Sequence, residues 1–105
     1  GWAEASQALR AALPDSHLRL LRSQGHSVAI GDYFFAHAGA RPGVALDAQS
    51  PDDLMWVRQE FLDHPAPFEK IVVHGHTPAD EVVSDARRIG IDTGAYATGI
   101  LSAVR

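Results

Sequence analysis

Two short segments place histidine where an apolar run meets glycine. They are Phe34-Phe35-Ala36-His37-Ala38-Gly39 and Ile71-Val72-Val73-His74-Gly75-His76-Thr77-Pro78. A strand end followed by glycine presents a rigid side chain to a cleft and lets backbone approach closely. Imidazole is the commonest protein metal ligand. A single histidine in such a place is more often structural, but two such strand ends in one short chain favour a shared site. His74 and His76 alone do not make a metal centre. Gly75 and Thr77-Pro78 end the strand, so the two rings diverge, and a metal needs more donors than two. Asp80 falls at the wrong spacing for the His-x-His-x-Asp-His pattern of zinc hydrolases. The other three histidines, His17, His26 and His64, sit among polar or turn residues and read as solvent-facing.

Arg58, beside Trp56, reads as a helix arginine that is either solvated or available to an anion. Tyr96 lies in the small-residue loop Gly94-Ala95-Tyr96-Ala97-Thr98-Gly99, where an aromatic either packs over a strand or faces a ligand. Ile91-Asp92-Thr93-Gly94-Ala95 is the kind of segment that dimeric aspartic proteases use for a shared carboxylate pair. Only 13 residues follow Asp92, too few for the flap, second loop and helix of that fold.

The elements that must position these groups fall into two parts. Residues 1–24 form a helical segment. Ala5, Leu9, Ala12 and Leu13 recur at helical spacing, as do Leu18 and Leu21; Pro14 divides two helices, Asp15-Ser16 cap the second, and Gly25 stops it. Residues 25–105 predict a sheet with one helix. Val28-Ala29-Ile30 and Tyr33-Phe34-Phe35-Ala36 flank the turn Gly31-Asp32 as a hairpin. Pro51-Asp52-Asp53 starts a helix with apolar positions Leu54, Val57, Phe61 and Leu62, ended by His64-Pro65-Ala66-Pro67. Ile71-Val72-Val73, Glu81-Val82-Val83, Ile89-Gly90-Ile91 and Ile100–Val104 read as strands, which makes the fold class α/β.

Composition narrows the chemistry further. The 105 residues leave room for one domain, with 46% hydrophobic and 21% charged residues. The absence of cysteine excludes disulfides, thiolate metal sites and cysteine catalysis. A net charge of −4, with no basic run longer than Arg87-Arg88, excludes the electrostatic footprint of a nucleic-acid binder. No apolar stretch has the length of a membrane span and no leader pattern opens the chain, so the expectation is a cytoplasmic protein without membrane partners.

Taken together, four segments resemble the C-terminal half of calcineurin-like metallophosphoesterases, specifically bacterial serine/threonine protein phosphatases. They are Gly31–Gly39, Leu54-Met55-Trp56-Val57-Arg58, Val72-Val73-His74-Gly75-His76-Thr77-Pro78, and Ile89–Gly99. They follow in order and at similar spacing over roughly Leu13–Arg105. The resemblance implies half of a four-layer β-sandwich with flanking helices and a site for two divalent metal ions, manganese first, iron or zinc otherwise. It implies that His37 and His76 ligate one of those metals, that Arg58 grips the substrate phosphate, and that Tyr96 lines the pocket. His74 becomes a structural neighbour and Asp92 a residue that orders its loop. The implied reaction is phosphomonoester hydrolysis, of phosphoserine or phosphothreonine in a protein or of a small phosphoester, by a metal-bound hydroxide. A dinucleoside tetraphosphate hydrolase shares these motifs, and a truncated interaction module is the non-enzymatic alternative.

The family's motifs Asp-x-His-Gly, Gly-Asp-x-x-Asp-Arg-Gly and Gly-Asn-His-Glu do not occur. The expectation is therefore a fragment with half the active site: inactive alone, metal-free or weakly loaded, and prone to self-association or to pairing with a missing N-terminal half. Its Gly1 start reads as a cut end.

Overall fold

A computed structural model describes all 105 residues, Gly1–Arg105. The chain is α/β, with one five-stranded mixed sheet and several helices. Two exposed helices, α1 (Trp2–Ala12) and α2 (Asp15–Ser23), precede the sheet and bury no residue. They fall where apolar spacing and Pro14 place them. β1 (Ser27–Ile30) and β2 (Tyr33–Ala36) then form the expected antiparallel hairpin, with Val28 opposite Phe35 and Ile30 opposite Tyr33. Gly31, at φ 56°, takes the positive-φ first position of this two-residue turn.

A long loop leads through a 3₁₀ turn at Leu46–Ala48 to α3 (Pro51–Trp56). Proline occupies its first turn and the Ser50 hydroxyl accepts the Asp53 backbone N–H, so the N-terminus is capped as its residue types dictate. The helix expected to run on to Leu62 is interrupted. Val57 is extended, Arg58 sits at φ −131°, ψ −107°, and α4 (Gln59–Leu62) begins after it. The Leu54 carbonyl, which a continuing helix would offer to the Arg58 N–H, instead accepts the Ala38 N–H at 2.7 Å.

β3 (Ile71–His74) lies parallel to β2, β5 (Arg88–Gly90) lies parallel to β3, and β4 (Val83–Ser84) closes the edge antiparallel to β5, giving the order β1-β2-β3-β5-β4. The strand expected at Glu81–Val83 is shortened and shifted. The strand expected over Ile100–Val104 does not form: Thr93 Oγ1 bonds the Ile100 carbonyl at 2.9 Å and Ser102 Oγ at 2.8 Å, so side-chain hydroxyls satisfy this segment where a ladder would have. Where the sequence suggests a small-residue loop, a short α5 (Ala95–Thr98) lies between left-handed Gly94 and Gly99. Residues 25–105 thus carry three short helices, where the sequence predicts one.

Strand alternation sends Phe34 and Val72 to one face of the sheet, where they pack with Ala38, Ala40, Leu46, Leu54, Val57 and Phe61 as the core. The other face carries Val28, Ile30, Tyr33, Phe35, Ile71, Val73 and Ile89, with no second sheet laid against it.

Candidate functional site

Parallel pairing brings the C-terminal ends of β2, β3 and β5 to one edge, the edge at which open α/β sheets bind ligands. The hydrogen bonding continues beyond the strands. Gly75 N–H donates to the His37 carbonyl at 2.9 Å, Ile91 N–H to the His74 carbonyl at 2.9 Å, and Ala79 N–H to the Asp92 carbonyl at 3.0 Å. These bonds hold the roots of three loops side by side. At Gly75 a side chain would meet Asp92 and the His37 carbonyl at ordinary contact distance.

His37 and His76, expected to share a ligand, come together. His37 Nε2 lies 3.1 Å from His76 Nδ1, with ring centroids 4.8 Å apart. His76 is the only non-glycine residue with positive φ, at 67°. Thr77 N–H closes a tight turn around it by donating to the Gly75 carbonyl at 2.8 Å. A histidine held in this region carries about 1–2 kcal/mol of backbone strain. The Trp56 ring stands edge-on to His76 at 5.6 Å. His76 Nε2 is buried without a hydrogen-bond partner. Its pKa is lowered, first by desolvation, then by the nearby Arg58 charge and by His37, with Asp92 opposing. The ring is therefore biased to the neutral, ligating form.

Arg58 is not mid-helix. The interruption between α3 and α4 swings its guanidinium toward the β3 loop, where Nη1 donates to Thr77 Oγ1 at 3.2 Å. His37, His76 and Arg58 are thus gathered by three separate backbone segments. Tyr96 is not part of this group: it is 89% exposed on α5, and Ala95 rather than Tyr96 faces the cleft.

His74 points to the opposite, helix-bearing face. It is 3% exposed, edge-on to the Phe61 ring at 4.9 Å. Its Nε2 is 3.0 Å from Arg88 Nη1 and its Nδ1 3.1 Å from the Gly75 carbonyl. Arginine only donates, so Nε2 accepts and the proton resides on Nδ1, directed at Gly75. Desolvation is the main cause that lowers its pKa; the Gly75 carbonyl opposes it and the Arg88 charge adds to it. Asp92 Oδ1 accepts the Gly94 N–H at 3.0 Å and so orders the turn into α5.

An open cleft of about 640 Å³ borders the histidine pair, lined by His26, His37, His76, Asp92, sheet residues such as Phe35 and the buried Val73, and Ile100–Ser102 of the C-terminal segment. Arg58 and Trp56 do not line it. His26, read from the sequence as solvent-facing, is on its wall. Thr77 and Trp56 also join the site, through Arg58 and His76 respectively, and only their nearness to those residues in the sequence signals them. No group of three or more His, Asp or Glu side chains converges here.

The donor set suits a shared cation in part. For bonds of about 2.1 Å, two nitrogens on one ion lie about 3.0 Å apart at a right angle and about 3.4 Å apart at a tetrahedral angle. The observed 3.1 Å falls between these values. Two imidazoles are half of a closed coordination shell.

No protein-family model, no curated protein and no solved structure matches the chain.

Proposed function

We propose that this chain carries part of the active site of a metal-dependent phosphatase of the calcineurin-like class. The observation that supports it most is the 3.1 Å approach of His37 Nε2 to His76 Nδ1, from two strands paired through a crossover. In this reading His37 Nε2 and His76 Nδ1 would hold one of two divalent cations, and the tight turn at His76 fixes the placement of its ring. Bound divalent cations supply Lewis-acid polarisation of a phosphoryl group and activation of a water. The chain's own residues position. Thr77 restrains Arg58, whose forked guanidinium suits two phosphoryl oxygens. Trp56 shields one side of His76. A closed shell would need donors beyond these two imidazoles.

Mn²⁺ titration followed by NMR tests the reading. The ring signals of His37 and His76 are expected to broaden together, and His37→Ala or His76→Ala to abolish broadening of the other. Broadening confined to His17, His26 or His64 would refute it. With half a shell, the chain alone is expected to hydrolyse p-nitrophenyl phosphate negligibly; an enzyme-like rate would refute the divided site.

A further inference from the structure

The Gly75 carbonyl stands at the root of the turn that presents His76. It accepts the Thr77 N–H at 2.8 Å and faces His74 Nδ1 at 3.1 Å. The Thr77 bond closes a three-residue turn around His76 at φ 67°, and positive φ makes this the rare, strained form of that turn. Such backbone persists only where its surroundings over-determine it.

Peptide geometry shows what must be held. Because the Gly75–His76 peptide is planar, the direction of its carbonyl and the φ of His76 are one degree of freedom. Turning the carbonyl over would carry His76 into the negative-φ region that residues with side chains prefer. Gly75, with no Cβ, puts little in the way. The ladder bond from Gly75 N–H to the His37 carbonyl, at 2.9 Å, anchors the preceding peptide, and the Thr77 bond belongs to the turn itself. His74 supplies the donor that reaches the Gly75 carbonyl from outside the turn.

The surroundings of His74 fix that contact. The residue is 3% exposed, with its ring edge-on to Phe61 at 4.9 Å. Gly90, its register partner on β5, leaves the space in which the ring meets Arg88. A Cβ there would lie 3.2 Å from His74 Nε2 and 3.3 Å from Arg88 Nη1, tighter than ordinary contact. Arg88 forms no ion pair; its Nη1 donates to His74 Nε2 at 3.0 Å. A guanidinium has no acceptor, so the imidazole proton stays on Nδ1, toward Gly75. Both ring nitrogens of this buried side chain are committed, one to fix the proton and one to use it.

We propose that Arg88 and His74 are positioning residues for the histidine pair. Arg88 fixes the His74 tautomer, His74 holds the Gly75 carbonyl, and the carbonyl holds His76 at positive φ with its Nδ1 3.1 Å from His37 Nε2. The device sets the geometry of the pair and stands apart from what the pair binds.

Two polar variants of the full chain, compared by NMR, separate positioning from packing. In His74→Asn the side-chain amide nitrogen takes the place of Nδ1 and still donates to Gly75. In His74→Gln the amide falls at the place of Nε2, so the partner of Arg88 is kept and the donor to Gly75 is lost. His74→Asn should keep positive φ at His76, read from the short HN–Hα distance within that residue, and the ring-to-ring nuclear Overhauser effect between His37 and His76. His74→Gln should lose both, and its Thr77 amide should exchange about tenfold faster, the worth of one hydrogen bond. Circular dichroism confirms the sheet in each. A folded His74→Gln chain with the His76 turn intact would overturn the proposal, as would a folded His74→Asn chain that loses the turn as completely. The unaltered chain gives a check that needs no variant: a long-range ¹⁵N–¹H correlation placing the neutral His74 proton on Nε2 would overturn it too.

Discussion

Replacing Gly39 by alanine should be the most damaging single-methyl change in the chain. Gly39 follows His37-Ala38 at φ 139°, a backbone conformation that costs a residue with a side chain about 1–3 kcal/mol. A Cβ there would lie 2.3 Å from Phe61 Cδ1 and 2.6 Å from Cε1, where carbons normally approach to about 3.5–4.0 Å. Phe61 cannot yield easily. It is 2% exposed, edge-on to His74 at 4.9 Å and tilted against Phe68 at 5.8 Å. Overpacking adds about 1–3 kcal/mol, so Gly39→Ala should lose about 4 kcal/mol in all. Phe61→Leu alone removes ring contacts and should lose about 1–2 kcal/mol. Combined, the smaller side chain relieves the clash and leaves only the backbone strain, so the double variant should be more stable than the sum predicts by about 2 kcal/mol. Urea unfolding at one fixed chain concentration, followed by far-UV circular dichroism and tryptophan emission, measures all four corners of the cycle. Losses that add to within about 0.5 kcal/mol would refute the packing argument, and a Gly39→Ala variant as stable as the parent would refute both parts.

Two further outcomes concern protons. At Asp85 burial raises the pKa, but the backbone N–H and guanidinium of Arg87 and the backbone N–H of Arg88 outweigh it and hold the carboxyl at about 2. The unfolded value is about 3.9, so the stabilisation is complete above that pH and is lost as pH falls toward about 2. Because the side chain is 35% exposed, screening reduces its worth to about 1 kcal/mol. Asp85→Asn should lower stability at neutral pH by about that amount and flatten the acid limb of a stability–pH curve; a parallel curve would refute the assignment. For His74, long-range ¹⁵N–¹H correlation should show the neutral ring protonated on Nδ1, and stability should decline as pH falls below the ordinary imidazole value of about 6.5, because the buried ring resists charging. A proton on Nε2 at neutral pH would break the inferred acceptor role toward Arg88.

What the sequence reveals and conceals divides along the range of the forces involved. The hairpin and β3 are legible because β-branched and aromatic runs bounded by glycine state their own conformation, and α1 and α2 because Pro14 and the leucine spacing do. Arg58 is not legible. No proline or glycine marks the break before α4; the Ala38 N–H, supplied from the end of β2, takes the carbonyl that the helix needed. The missing strand after Gly99 has a similar origin, in the hydroxyls of Thr93 and Ser102. Nor does His76 announce its left-handed backbone, since only the ladder from His37 to Gly75 and the bonds from Thr77 and His74 to Gly75 impose it. The loop around Tyr96 leaves open whether it packs or faces a ligand, only the family resemblance puts it at the pocket, and α5 turns it outward. The candidate site is therefore half readable. Its histidines stand at strand ends that local pattern identifies, whereas their meeting depends on β2 and β3 being parallel neighbours, which local pattern leaves open. The same non-local bond that interrupts the helix also delivers Arg58 to Thr77, beside His76. The irregularities that defeated a purely local reading are thus the ones that assemble the guanidinium and the imidazole pair.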